Sequence, residues 1–436
     1  MSCGAVLRNR PRLCTMDASF RPPRLVLDDA PSSARTLHPV TQAYRLLQGG
    51  DEFFPALIEA LDAARESVQL ETYIFHVHGV GEEVSQALQR AARRGVAVQV
   101  LVDGVGTPAL PVDCLQRWQA AGVQFRVFAP LGGFGSGLRL LLAPAHWRRL
   151  HRKLCVVDER ILFCGGINVL DDWYDPNHGP LQAPRFDFTV RVEGEVAARA
   201  AQAMSLLWTR VQVGQSVRER QLGRAWETWR ETLHRPARPP TLAAGVAQAH
   251  LLLRDNLRFR NTIERAYRKA IGRARSEVLI SNAYFLPGGR LRRALSEAAR
   301  RGVRVQLLLQ GRYEYFMQYH AARSVYLDLL QAGVEVHEYN TSFLHAKVAV
   351  VDGRWSTVGS SNLDPLSLLL AREANVVIED EAFAEHLRQR LQRAIAGHGR
   401  AVRLEDYSRS PWRERLMNKL AYALMRMALF LTGHRY

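Results

Sequence analysis

Apolar positions recur at helical spacing through GEEVSQALQRAARRG, residues 81–95, and the run stops at a glycine, the usual end of a helix. The next stretch, VAVQVLV, is continuously apolar and rich in β-branched residues, the pattern of a strand buried on both faces. Helix, glycine and buried strand succeed one another along most of the chain. That order predicts an α/β architecture of mixed or mostly parallel sheets with helices packed on them.

Much of this succession occurs twice. AARRGVAVQVLVDG from Ala91 returns as AARRGVRVQLLLQG from Ala298, 207 residues on. VQLETYIF from Val68 pairs with VLISNAYF from Val278 at a distance of 210, and AGVQF from Ala121 with AGVEV from Ala332 at 211. The chain is therefore expected to form two similar halves, 39–212 and 249–400, related by a pseudo-twofold axis. Sites in such folds lie where strand ends meet. Residues 213–248, with a Pro-rich piece at 235–240, are expected to link the halves. Residues 1–38 carry Pro, Arg and Ser without periodicity and are expected to be a flexible lead, and 401–436 read as an amphipathic tail.

The strongest repeat is chemical. HRKLCVVDERILFCGGIN from His151 and HAKVAVVDGRWSTVGSSN from His345 share one spacing: His, any residue, Lys, four residues, Asp, six residues, Gly, Gly or Ser, any residue, Asn. In a strand, residues two apart point the same way, so His151 and Lys153 share a face, as do His345 and Lys347, with Arg152 and Ala346 turned away. If the halves pack about a twofold axis, two imidazoles and two ammonium groups converge. Lysines hold phosphate as point charges, and Asn168 and Asn362, beside Gly166 and Ser360, add neutral donors. One imidazole can attack phosphorus while the other protonates the leaving alkoxide. This division needs no metal and no cofactor, and neither copy supplies the carboxylate cluster that magnesium prefers. Asp158 and Asp352 belong to the motif but fall at the far end of each strand, where pinning the turn is the expected role. A nucleophilic histidine also needs an acceptor on its second nitrogen. Asp187 in RFDFTVRV and Glu373 in REANVVI, 36 and 28 residues past the motif histidines, are the expected acceptors.

Composition fits this picture. The 436 residues are 47% hydrophobic and 23% charged, a globular balance, and the net charge of +17 points to an anionic partner. Five cysteines without metal-ligand spacing read as reduced thiols. No stretch is long and apolar enough to span a bilayer.

These residues resemble the phospholipase D superfamily, whose signature is this doubled His-x-Lys-x4-Asp element with Gly-Gly or Gly-Ser and Asn behind it. Within it, LLQGGDEFFPALIEALDAA before ETYIF, GGINVLDDW and VGSSNLDPLSL with EANVVIED resemble bacterial cardiolipin synthases of the form without N-terminal transmembrane helices. The resemblance implies two sandwich halves with the site at their interface. It also implies transfer of a phosphatidyl group from one phosphatidylglycerol to another through a phosphatidyl-histidine. By the same resemblance His151 is the nucleophile and His345 the acid and then the base.

Lipid substrates require a bilayer. The motif histidines lie only 194 residues apart, so the first half carries about 17 extra residues before His151, an apolar and basic insert (131–150) placed to dip into the interface. In the tail, the least polar part, 420–433, is interrupted by Arg426 and suits a helix lying among headgroups. The expected setting is peripheral, on the cytoplasmic face of the cell membrane, with anionic phospholipid rather than nucleic acid as partner. The internal duplication lets a monomer complete the site. The alternatives are hydrolysis of a phospholipid or nucleic acid by the same site, or transfer to other alcohols.

Overall fold

The structure, a computed structural model, describes residues 44–107, 109–130, 149–175, 178–218, 249–255, 259, 261–313, 316–364, 371–405 and 411–431. The expected lead at 1–38, most of the insert before His151 and most of the linker lie outside these residues.

In the first half, strands β1 (Tyr44–Gln48), β2 (Ser67–Thr72), β3 (Ala97–Asp103), β4 (Gln124–Phe128), β5 (Arg149–Leu150), β6 (Leu154–Val157), β7 (Ile161–Gly165), β8 (Tyr174–Asp175), β9 (Gly179–Pro180) and β10 (Phe188–Glu193) alternate with helices α1 (Gly49–Ala63), α2 (Val80–Arg93), α3 (Val112–Ala121) and α4 (Glu195–Arg218). In the second come β11 (Ala249–Arg254), β12 (Glu277–Asn282), β13 (Arg304–Gln310), β14 (Glu335–Tyr339), β15 (Lys347–Val351), β16 (Trp355–Gly359), β17 (Ala371–Glu379) and β18 (Gly399–Ala401). Its helices are α5 (Thr262–Arg273), α6 (Gly289–Arg300), α7 (Phe316–Arg323), α8 (Tyr326–Gln331), α9 (Glu381–His398) and α10 (Trp412–Leu431). Helix α4 runs six residues past the linker boundary drawn at 213, and β18 carries the second sheet one residue past the boundary at 400.

The duplication is visible strand for strand. One sheet has the order β1-β10-β7-β6-β2-β3-β4 and the other β11-β17-β16-β15-β12-β13-β14, with β18 at its edge. Strands β2, β3 and β4 of the one and β12, β13 and β14 of the other pair in parallel, and the remaining neighbours along these orders are antiparallel. Helix α2 shows why the local pattern folds this way. Val84, Ala87, Leu88 and Ala91 face the sheet, Glu82 and Glu83 sit at its positive end, and Arg90 and Arg93 at its negative end. Gly95 then turns the chain at φ 89°, and Gly302 does the same after α6 at φ 90°, a backbone region that penalises any Cβ.

The halves share a core. Leu154, Val156, Cys164, Phe188 and Val190 of the first interleave with Ala346, Val348, Val358, Ala374 and Val376 of the second. Each half keeps an outer core beneath its own helices. The described residues of both halves belong to one compact unit.

Helix α10 has two apolar faces. Asn418, Ala421 and Met425 are buried, Ala421 and Met425 within the second outer core, and Asn418 hydrogen-bonds His320 of α7 at 2.7 Å. Leu416, Leu420, Leu424 and Met427, at helical spacing on another side, are 40–55% exposed. Among the described residues no helix is long and apolar enough to cross a membrane.

Candidate active site

The segments that carry the two histidines are exchanged between the halves. Before His151, the two-residue strand β5 pairs in parallel with β17 of the second half, and the His151 amide donates to the Arg372 carbonyl at 3.0 Å. Before His345, Leu344 bridges Phe186 of the first half, and the His345 amide donates to the Phe186 carbonyl at 2.9 Å. Asp103, at the end of β3, fixes the approach by accepting the Leu150 amide at 2.8 Å and pairing with Arg149 at 3.4 Å.

Each histidine therefore meets the carboxylate of the opposite half. His151 places Nδ1 3.0 and 3.2 Å from the two oxygens of Glu373. His345 places Nδ1 2.6 Å from Oδ2 of Asp187. The carboxylates are sealed, at 0% and 3% side-chain exposure, while the imidazoles keep an open edge at 16% and 21%. A carboxylate at Nδ1 selects the tautomer that leaves Nε2 toward that opening. Read along the sequence, each acid belongs with the histidine of its own half. The structure instead crosses them, because the strand-end bridges swap the histidine segments.

The two pairs differ in detail. Glu373 also accepts the Ser360 hydroxyl at 2.5 Å. At the equivalent place in the first half stands Gly166, where a Cβ would overlap the Asp187 carboxylate. The shorter acid thus goes with the residue lacking a side chain, and Asp187 takes its second bond from the Phe188 amide at 2.8 Å.

The lysines lie between the pairs. Lys153 donates to the His151 carbonyl at 2.9 Å and sits 5.3 Å from the Tyr73 ring, which packs edge-on against His151. Lys347 donates to the His345 carbonyl. Both lysines are buried. Burial pushes Lys153 down to about 7, against the pull of Glu373 and with Lys347 adding to it. Burial pushes Asp187 up to about 7 although Lys347 opposes it, while burial and both lysines hold His345 well below the ordinary histidine range. Burial also lowers His151, with Glu373 opposing.

Asn168 accepts the Ile74 amide at 3.1 Å through Oδ1, which leaves its NH2 as the donor; Asn362 is buried at the equivalent position. Asp158 and Asp352 stand at the other ends of β6 and β15, and no contact joins them to the histidines. Asp158 accepts the amides of Arg65, Glu66 and Ser67 at 2.7–3.2 Å, and Asp352 those of Arg275, Ser276 and Glu277 at 2.8–3.2 Å. Both adopt left-handed backbone, φ 52° and 51°. Their place is the turn, and the geometry gives them no catalytic contact.

Three residues of the site carried no signal in the motif. Tyr73 and Asp103 lie in the duplicated stretches, but their counterparts in the other half are Ala283 and Gln310, so the repeat did not mark them. Arg152, turned away from the lysines, is buried 3.6 Å from the buried Glu71, a pair with no equivalent beneath Ala346. Among the described residues no group of three His, Cys, Asp or Glu is placed to hold a metal ion.

A family model described as the PLD-like domain of cardiolipin synthase matches residues 57–178 and 267–395. The chain is 40% identical over 391 residues to cardiolipin synthase B of Salmonella typhi, and 39% identical over 392 residues to that of Escherichia coli strain K12; each alignment covers 89% of both chains. The crystal structure of phosphatidylserine synthase from Haemophilus influenzae superimposes with a TM-score of 0.63 at 13% identity, covering 89% of this chain and 94% of that one, a likeness of fold. With both halves, both His-Lys elements and this extent of identity, the chain belongs to the cardiolipin synthases of the PLD-like family and is a phosphatidyltransferase.

Proposed function

We propose that the chain makes cardiolipin from two phosphatidylglycerol molecules, with His151 as nucleophile and His345 as proton carrier. The observation that supports this most is the pair of crossed histidine–carboxylate contacts with two buried lysines between them. Glu373 takes the Nδ1–H of His151, so Nε2 presents its lone pair to phosphorus. The lysines and the Asn168 and Asn362 amides hold the non-bridging oxygens as charge shifts across them. His345 Nε2 gives its proton to the departing glycerol oxygen, leaving phosphatidyl bound to His151. The terminal hydroxyl of the second phosphatidylglycerol then returns a proton to His345 and attacks phosphorus, and the bond to His151 breaks. Atoms and protons balance over the two steps: two phosphatidylglycerols give cardiolipin and glycerol. An arriving phosphodiester adds negative charge beside the two lysines and so raises the proton affinity of Lys153 and His345.

We further place the enzyme peripherally on the cytoplasmic face of the cell membrane, substrates in the leaflet. Leu416, Leu420, Leu424 and Met427 on α10, with Trp412 65% exposed at its start, form an apolar strip that burial in a headgroup layer would cover. The protein folds this helix onto its own core by one face and leaves the other outward, so docking and membrane contact are compatible.

Purified protein with phosphatidylglycerol vesicles should yield cardiolipin and free glycerol in equal amounts without added nucleotide or metal. Phosphatidic acid as the sole lipid product would replace the synthase reading by a hydrolase.

A further inference from the structure

The twin halves should be interchangeable at the mouth of the site, and they are not. At the strand entry to the first histidine, Arg149 pairs with the buried carboxylate of Asp103. At the same position before His345 the chain has Phe343, and Asp103 is replaced by Gln310. Two residues past Gln310, where the first half has the exposed apolar Val105, stands Arg312. Its guanidinium lies 4.9 Å from the centre of the Phe343 ring, which also contacts the exposed His178 at 5.0 Å. Among the described residues no carboxylate pairs with Arg312. The first half thus neutralises its mouth arginine, whereas the second half lays one on an aromatic face and leaves its donors open.

The position of this arginine matters chemically. Phe343 and His345 are alternate residues of an extended segment whose ends both bond Phe186, so their side chains project the same way. Their Cα atoms are about 7 Å apart on strand geometry. The acceptor's hydroxyl must reach His345, and in phosphatidylglycerol a single glycerol separates that hydroxyl from the lipid's own phosphodiester. A planar guanidinium can grip two phosphate oxygens while stacked on a ring.

We infer that Arg312, laid on Phe343, is the acceptor subsite: it holds the phosphodiester of the incoming lipid one glycerol away from the reacting phosphorus. The inference rests on His345 being the base for the acceptor, as proposed above. It places anionic-acceptor specificity on the Arg312 side of the site. The enzyme then prefers an acceptor that carries its own phosphate over a neutral alcohol.

Arg312→Gln and Arg312→Lys, each assayed as full-length protein on phosphatidylglycerol vesicles containing ethanol, separate the two transfers. Cardiolipin requires the lipid acceptor and phosphatidylethanol does not, although both draw on the same donor and the same histidines. Loss of a charge-assisted phosphate contact should lower the cardiolipin to phosphatidylethanol ratio about tenfold to a hundredfold in Arg312→Gln. Arg312→Lys should recover part of the ratio by restoring the charge. An unchanged ratio, whether both products persist or both fall together, overturns the inference. If the wild-type protein forms phosphatidylethanol and phosphatidic acid but no cardiolipin, the synthase reading itself fails, whatever Arg312 does.

Discussion

Replacing Glu373 by glutamine probes the crossed pairing with almost no change of shape. The side chain is fully buried and makes two kinds of contact: Nδ1 of His151 at 3.0 and 3.2 Å, and the Ser360 hydroxyl at 2.5 Å. In Glu373→Gln the amide keeps one acceptor for the His151 N–H and can turn its NH2 toward the Ser360 oxygen. What disappears is charge. A hydrogen bond to a charged group contributes about 1.5–3 kcal/mol, or roughly ten- to a hundred-fold in rate if its full value is realised in the transition state. The amide can also rotate and donate to Nδ1, which puts the proton on Nε2 and removes the nucleophile's lone pair. The corresponding change in a serine-protease triad costs about 10⁴ in kcat. A second loss runs through Lys153. Glu373 is the leading charge that opposes its desolvation, and even so the lysine is pushed down to about 7. Without Glu373 it falls further, and less of it is charged at pH 7.5 to receive phosphate. Glu373→Gln should therefore lose about 10³-fold in kcat for cardiolipin formation by a lipid-product assay, with a raised KM for donor and an unchanged melting temperature to within a few degrees. Activity within tenfold of wild type, with KM unmoved, would refute the crossed orienter.

Other consequences can be checked separately. Because Lys153 and Asp187 both lie near 7, the free enzyme loses the lysine's charge and the Asp187 proton beside His345 as pH rises through 7. kcat/KM should thus fall above pH 7, whereas the lowered His151 puts any acid limb below 6.5; a flat profile from about pH 6 to 9 would contradict this. Asp158→Asn removes charge from the acceptor of three backbone amides and should cost about 1–2 kcal/mol, a fall of roughly 1–3 °C in Tm by calorimetry, with kcat per folded molecule kept. Loss of kcat at full stability would make Asp158 catalytic after all. Leu416→Ser, Leu420→Ser and Leu424→Ser together remove apolar surface now half exposed. At about 1 kcal/mol for each half-buried leucine, vesicle partition should weaken roughly a hundredfold with turnover of a soluble phosphodiester intact. Unchanged sedimentation with vesicles would exclude α10 as the contact.

The sequence made the architecture legible because the duplication exposed it twice. Glycines such as Gly95 and Gly302 stop equivalent helices, and the buried runs after them become β3 and β13. The motif likewise marked both histidines and both lysines, although residues 151–153 and 345–346 precede strands β6 and β15 instead of lying within them, so strand periodicity does not account for their placement. What it could not reveal was the exchange. Asp187 and Glu373 are visible as acids in strand-like stretches, but their partners are chosen by β5 against β17 and by the Phe186–Leu344 bridge. Pairings that short leave no periodicity to read. The tail was legible as amphipathic, but not as a helix with one apolar face inward and another outward, because Ala421 and Met425 are no more hydrophobic than Leu420 and Leu424. Arg312 was hidden for a related reason: one arginine in a basic chain acquires meaning only through the ring beneath it and the carboxylate it lacks.

The proposed division of labour gives phosphorus to His151 and protons to His345. A diacylglyceryl p-nitrophenyl phosphate tests it most directly, because nitrophenolate leaves without a proton. In His345→Ala the first step should survive and the second stall, giving a stoichiometric burst of nitrophenolate and a phosphatidyl adduct on the peptide that contains residue 151. His151→Ala should give neither. A burst from His151→Ala, with the adduct on the peptide of His345, would contradict the account and exchange the roles of the two halves.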